Sequence, residues 1–209
     1  MLREPEYSDD DLLRRIIAGE EDAFLCFYRR WQGRIYRFAL HMSGSASVAE
    51  DVTQEAFMSV VRDASRFDPA LGTASAYLFG IARNQVLRRL EKDRVLVPFP
   101  EPGDASRDSQ AKAAGNGHHA ISVPPVDLAR KQTIEHVREA VLSLPGHYRE
   151  VVVLCDLQEM SYEEAAAALG CAIGTVRSRL HRARTLLAAK LFELRQAEPK
   201  TAARGRGSN

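Results

Sequence analysis

Long hydrophobic runs are missing from this 209-residue chain. Val151 to Cys155 and Ala165 to Leu169 are five residues each, where a membrane helix needs roughly 20. An excess of one charge is missing too. Lys and Arg total 29 against 28 for Asp and Glu, a formal +1, which excludes a polybasic protein or an acidic tail as the main feature. Cysteine is scarce. Cys26, Cys155 and Cys171 lie far apart with no ligand spacing, so they read as buried thiols of a reducing compartment, without disulfide or metal. No glycine-rich phosphate loop, histidine–carboxylate metal set or activated nucleophile is present, so neither catalysis nor a cofactor is expected. The acidic N-terminus has no apolar stretch behind it, so no secretory signal is expected and the expected location is cytoplasmic.

What is present is a globular composition, 45% hydrophobic and 27% charged. The balanced total hides segregation. Residues 1–23 hold eight acids against three bases, and Glu150 to Glu164 holds five acids and no base. Ala165 to Phe192 reverses this, with Arg177, Arg179, Arg182, Arg184, Lys190 and no acid. Such asymmetry suits a polyanion-binding face with other surfaces left for protein partners, although solvated helix faces alone would also produce charge runs.

Val97 to Asp127 breaks the helical rhythm, with five of the nine prolines and Gly103, Gly115 and Gly117. It reads as a flexible linker spanning roughly 30 Å as a coil and about 100 Å fully extended. His118 and His119 inside it have no further ligands nearby and read as solvent-exposed. The pattern divides the chain into an acidic segment (1–22), a helical domain (23–96), the linker (97–127), a second helical domain (128–195) and a disordered tail (196–209).

The class is all-α: two small helical domains, the C-terminal one a helix-turn-helix. Apolar residues recur at helical spacing from Ala23 to His41, through Phe27, Trp31, Ile35 and Phe38. A Ser47/Glu50 capping box opens the next helix, whose apolar positions are Val48, Val52, Ala56, Phe57, Val60 and Val61. A third helix starts at Thr73 and runs through Tyr77, Leu78, Ile81, Ala82, Val86 and Leu90. Tyr77 and Phe79 on it read as core before they read as base-stacking platforms. After the linker, Leu128 to Leu144 is helical and Pro145-Gly146 ends it. The Val151–Leu154 run is strand-like in composition, but helix-compatible neighbours and no turn residues make it helix.

The most informative stretch follows. Ser161 and Glu164 form a capping box, Tyr162 to Leu169 a short helix, and Gly170 closes it. From Thr175 to Leu194, Val176, Leu180, Ala183, Leu187 and Leu191 share one face. Arg177, His181 and Arg184 fall on another, with Arg179 and Arg182 beside them. Short helix, tight turn and basic second helix are helix-turn-helix geometry. Thr175, Arg177, Ser178 and His181 lie where base edges are reachable, and Arg182 and Arg184 where phosphates run.

Leu144 to Leu191, above all the run GTVRSRL at Gly174–Leu180 followed by Arg182-Ala183-Arg184, resembles the C-terminal domain of bacterial extracytoplasmic-function sigma factors. AEDVTQEAFMSVVRD (Ala49–Asp63) resembles the segment by which those proteins hold RNA polymerase core, and AYLFGIARNQVLRRLEK (Ala76–Lys92) resembles their −10-recognition helix. The resemblance implies core-polymerase contacts at Asp51, Gln54 and Glu55, and −10 DNA contacts at Tyr77, Arg83, Asn84, Arg88 and Arg89. It implies −35 contacts on the helix from Thr175. It also implies a chain that is monomeric when free, not inserted in a membrane, whose partners are polymerase core, promoter DNA and an anti-sigma factor. Three positions depart from the family's habit. Tyr77 stands where Trp is frequent, Arg88 where an acid is, and Ala165 where a bulky aliphatic residue is. A free regulator resembling a response-regulator output domain is the alternative, but residues 1–94 lack the strand–helix alternation of a receiver domain.

Overall fold

In the computed structural model the described residues are 7–95 and 125–197. The linker lies almost wholly outside them, as do the tail from 198 on and residues 1–6. All regular structure among the described residues is helical. α1 is Asp9–Ile17, α2 Glu21–Ser43, α3 Ala46–Asp63 and α4 Ala74–Val95. α5 is Pro125–Ser143, α6 Gly146–Val152, α7 Tyr162–Leu169 and α8 Ile173–Ala197.

α2, α3 and α4 form a three-helix core whose centre is aromatic. Phe79 of α4 meets Trp31 at 6.0 Å and Phe38 at 5.4 Å between ring centroids, both near edge-to-face, and Phe57 of α3 meets Tyr28 at 4.8 Å. Phe79 is thus core, as the spacing implied. Tyr77 is half-buried, and its hydroxyl donates to the Asp63 carbonyl at 3.0 Å. α3 begins two residues earlier than its sequence pattern suggests. Ser45, not Ser47, is the N-cap, its hydroxyl accepting from the Val48 amide at 3.3 Å. Val61 is a second correction: it stands 55% exposed, while Val52, Ala56 and Val60 are buried. One hundred degrees per residue takes Val61 off that stripe.

From Ser8 on, the acidic start of the chain is not a separate segment. Ser8 caps α1, and Leu12 and Leu13 are 1% and 0% exposed in the same core as Phe27 and Phe79. Two leucines amid Asp9, Asp10, Asp11, Arg14 and Arg15 make no hydrophobic run, which is why the pattern hid them.

In the second unit the Val151–Leu154 run is helical, as its neighbours implied, and wholly buried. From Val153 to Leu157 the helix widens to i→i+5 bonding and is capped by Gln158; the next residue, Glu159, is a non-glycine residue at φ 58°. The two units are packed together rather than held apart. One continuous apolar core runs through both, and α7 lies along α4.

Candidate nucleic-acid and polymerase interfaces

The turn between α7 and α8 is built by local chemistry. The Ser161 hydroxyl accepts from the Glu164 amide at 3.1 Å, and the Glu164 carboxylate accepts from the Ser161 amide at 3.0 Å, a reciprocal cap. Gly170 ends α7 at φ 62°, a left-handed conformation that costs glycine nothing. Val176, Leu180 and Ala183 then point inward at 0–1% exposure, so α8 has one fixed orientation. Arg177, Ser178, His181, Arg182 and Arg184 are exposed on its outer side, with Thr175 and Arg179 half-buried at the edge. Three of these are engaged within the chain, the Ser178 hydroxyl donating to the Thr175 carbonyl at 3.1 Å. The Arg184 guanidinium donates to both Asp156 carboxylate oxygens, at 2.6 and 3.2 Å, and Arg177 lies 5.8 Å from the Tyr162 ring centroid.

The residues expected at the −10 element divide differently. Asn84 and Arg88 are exposed. Arg89 donates to Asp51 at 2.8 Å, and Arg83 donates to Glu150 of α6 at 2.8 Å from Nε and 3.4 Å from Nη2. A cavity of about 370 Å³ opens beside Tyr77 and Asn84, and its far wall is Ala167 to Gly170, at the end of α7. Arg66 and Leu71, which also line it, had no periodic signal in the sequence, because Arg66 ends the single 3-10 turn Ala64–Arg66 and Leu71 lies in the turn before α4.

On α3, Gln54 and Glu55 are exposed and Asp51 is half-buried. Neither acid is alone. Asp51 holds Arg89, and Glu55 lies 4.0 Å from Arg62. Beside them Met58 and Val61 are 53% and 55% exposed, an apolar strip continuing the acidic face. Gln54, Met58 and Val61 lie at i, i+4 and i+7, so a helical wheel finds them once Val61 is removed from the core. A groove of about 670 Å³ between α2 and α3, lined by Tyr28, Arg37, Gln54, Phe57 and Met58 among others, adjoins that strip. The three cysteines are half-buried and unpaired, and burial, aided by Asp156, pushes the Cys155 thiol up to about 11. No helix among the described residues is long and apolar enough to cross a membrane.

Comparison with known proteins places both units. Residues 27–95 match Sigma-70 region 2, and residues 134–187 match Sigma-70 region 4. The chain is 34% identical to the ECF RNA polymerase sigma factor EcfG of Rhodopseudomonas palustris, over 74% of this chain and 77% of that one. It is 33% identical to the ECF RNA polymerase sigma factor SigM of Mycobacterium tuberculosis, over 88% and 84% respectively. Identity to the ECF RNA polymerase sigma factor SigE of Mycolicibacterium smegmatis is 35%, over 76% of this chain and 58% of that protein's length. Among solved structures, the sigma factor RpoE in complex with the anti-sigma factor NepR from Bartonella quintana superposes with a TM-score of 0.58 at 26% identity, covering 84% of this chain and 98% of that one.

Proposed function

The chain belongs to the extracytoplasmic-function RNA polymerase sigma factors, and from that premise we propose how its surfaces divide the work of transcription initiation. It is a specificity subunit that brings core RNA polymerase to promoters. The acidic and apolar face of α3, with Asp51, Gln54, Glu55, Met58 and Val61, docks on core. A basic helical partner suits that face, since charge complementarity steers docking and the apolar strip adds burial. α4 takes the opened −10 strand, with Asn84, Arg88, Arg89 and Arg83 along the backbone and Tyr77 in the wall of the adjacent cavity. α8 enters the −35 major groove, with Thr175, Arg177, Ser178 and His181 toward base edges and Arg179, Arg182 and Arg184 toward phosphates.

One observation carries this reading: region 2 and region 4 occur in order on one chain, and the second ends in a helix whose outer side is basic. An anti-sigma factor is the proposed restraining partner, by likeness to the sigma factor solved with NepR. A cytoplasmic location is part of the same proposal, since polymerase and promoter DNA are its proposed partners. A free regulator of the response-regulator type has no support, because the N-terminal unit is a region 2 and not a receiver. Run-off transcription with purified core polymerase on genomic fragments tests the assignment. Promoter-dependent transcripts are expected only when the protein is added, and their absence under all conditions sinks it.

A further inference from the structure

We propose that Tyr162, the first residue of α7, is a positioning residue for −35 recognition: its ring supports the Arg177 guanidinium and so sets which base edge that group meets. The inference rests on the assignment of α8 to the −35 major groove. It adds a residue of the preceding helix to the determinants of sequence preference.

Tyr162 is held where it can do this. It directly follows the Ser161 cap, whose reciprocal bonds with Glu164 fix the start of α7. Four other residues bury the helix, namely Ala165, Ala166, Ala168 and Leu169. Tyr162 lies off that stripe, half-buried, with part of its ring packed against the core. The Arg177 guanidinium carbon stands 5.8 Å from the ring centroid, within the range at which an aromatic face attracts a cation. A flat guanidinium suits a ring better than an ammonium does. Arg184, seven residues further along the same face of α8, is the natural competitor for the ring. Asp156 removes it, accepting from its Nη2 at 2.6 Å and its Nε at 3.2 Å. Asp156 chiefly, and the Tyr162 hydroxyl in smaller part, hold the Arg184 group above its usual value. The tyrosine is therefore divided, its hydroxyl toward Arg184 and its ring toward Arg177.

The consequence for recognition follows from side-chain entropy and angle. A long exposed arginine loses rotamer freedom when it meets a base, and bidentate contact also demands one orientation in the groove. A guanidinium already resting on a ring has less freedom to lose, and its angle is set by α7 as well as by its own rotamers. On DNA a phosphate takes the place of Asp156 at Arg184, so the ring stays with Arg177 in both states. Sequence preference at one base pair thus depends on a residue that need touch no base. Binding through phosphates does not depend on it, because Tyr162 neutralises no charge.

The test uses holoenzyme made from core polymerase and the full-length chain. Its DNA is a promoter found by run-off transcription, with the upstream element randomised, and sequencing of the bound fraction reads base preference position by position. Arg177→Ala should flatten the preference at one position. Tyr162→Leu should weaken it at that same position by about threefold and spare the others, with the salt slope unchanged. Tyr162→Phe keeps the ring and should keep the wild-type preference. The double variant Tyr162→Leu with Arg177→Ala should match Arg177→Ala alone at that position, since the two act as one unit. Full preference in Tyr162→Leu overturns the proposal, and so does a loss spread evenly over all positions, which marks a packing role. Tyr162→Gln makes the same comparison if the leucine variant does not fold. An Arg177→Ala variant that flattens no position removes the base contact from Arg177, and the proposal with it, while transcription still supports the sigma assignment. Absence of any promoter-dependent transcript removes that assignment and everything resting on it.

Discussion

The Asp10 carboxylate accepts a hydrogen bond from the Ala74 amide at 2.8 Å, so an acid of α1 caps α4 from 64 positions away. Helix starts leave four amides unpaired, and a negative side chain there also meets the positive end of the helix dipole. α1 is thus a structural part of the N-terminal unit, although it precedes residues 27–95, which match region 2.

Asp10→Ala should lower stability by about 1 kcal/mol, and Asp10→Asn by less, since asparagine still caps. Leu13→Ala should cost more, about 2–5 kcal/mol, for loss of a fully buried side chain. Urea unfolding checks both. Deleting residues 1–20 should therefore unfold or loosen the domain rather than merely relieve charge repulsion, and a deletion as stable as wild type would refute this placement of α1.

Arg177→Ala should cost about 1–3 kcal/mol in −35 binding by holoenzyme and alter sequence preference, if the guanidinium reads a base. Arg184→Ala should weaken every sequence alike and lower the salt slope by about one unit. Titrations of several promoter duplexes at graded salt distinguish the two. Equal, sequence-blind losses would put the wrong face of α8 in the groove.

Reversing charge at Asp51 and Glu55 should abolish association with core polymerase. The cost in stability should be small, about 0–1 kcal/mol, because the partners Arg89 and Arg62 are exposed. The same change frees Arg89 from its carboxylate. Co-purification with core at wild-type yield would remove this face from the docking site.

Acid should weaken the fold through His41. Burial and then the neighbouring Arg138 and Arg37 hold this imidazole below its ordinary value, and its Nδ1 has no partner. The unfolded chain therefore binds the proton first as pH falls. The His41 contribution is whole above about pH 6.5 and is lost as pH drops from there through the folded value. Thermal melts from pH 7.5 to 5.5 should show a smaller fall for His41→Gln than for wild type. Parallel curves would count against it.

How legible each feature was depended on the range of the interaction behind it. The Ser161–Glu164 cap and Gly170 were readable because their partners lie within a few residues. The start of α3 was misplaced by two positions because Glu50 completes a capping-box pattern with Ser47, while the true cap, Ser45, has only Val48 at the matching position. Val61 was taken for core because a run of two valines masks the helical angle between them. The exposed basic side of α8 was legible because its buried stripe, Val176, Leu180 and Ala183, is regular.

The sequence by itself determined the helices, the two units, the basic character of α8 and the family, since these follow from composition, caps and periodicity along short stretches. Tertiary structure alone decided which charged groups are free. Arg83, Arg89 and Arg184 look alike along the chain, yet they meet Glu150, Asp51 and Asp156, at separations of 67, 38 and 28 residues. Only folding sets those distances. An arginine already paired with a carboxylate, most of all Arg83 against the buried Glu150, must give up that partner before it can meet a phosphate.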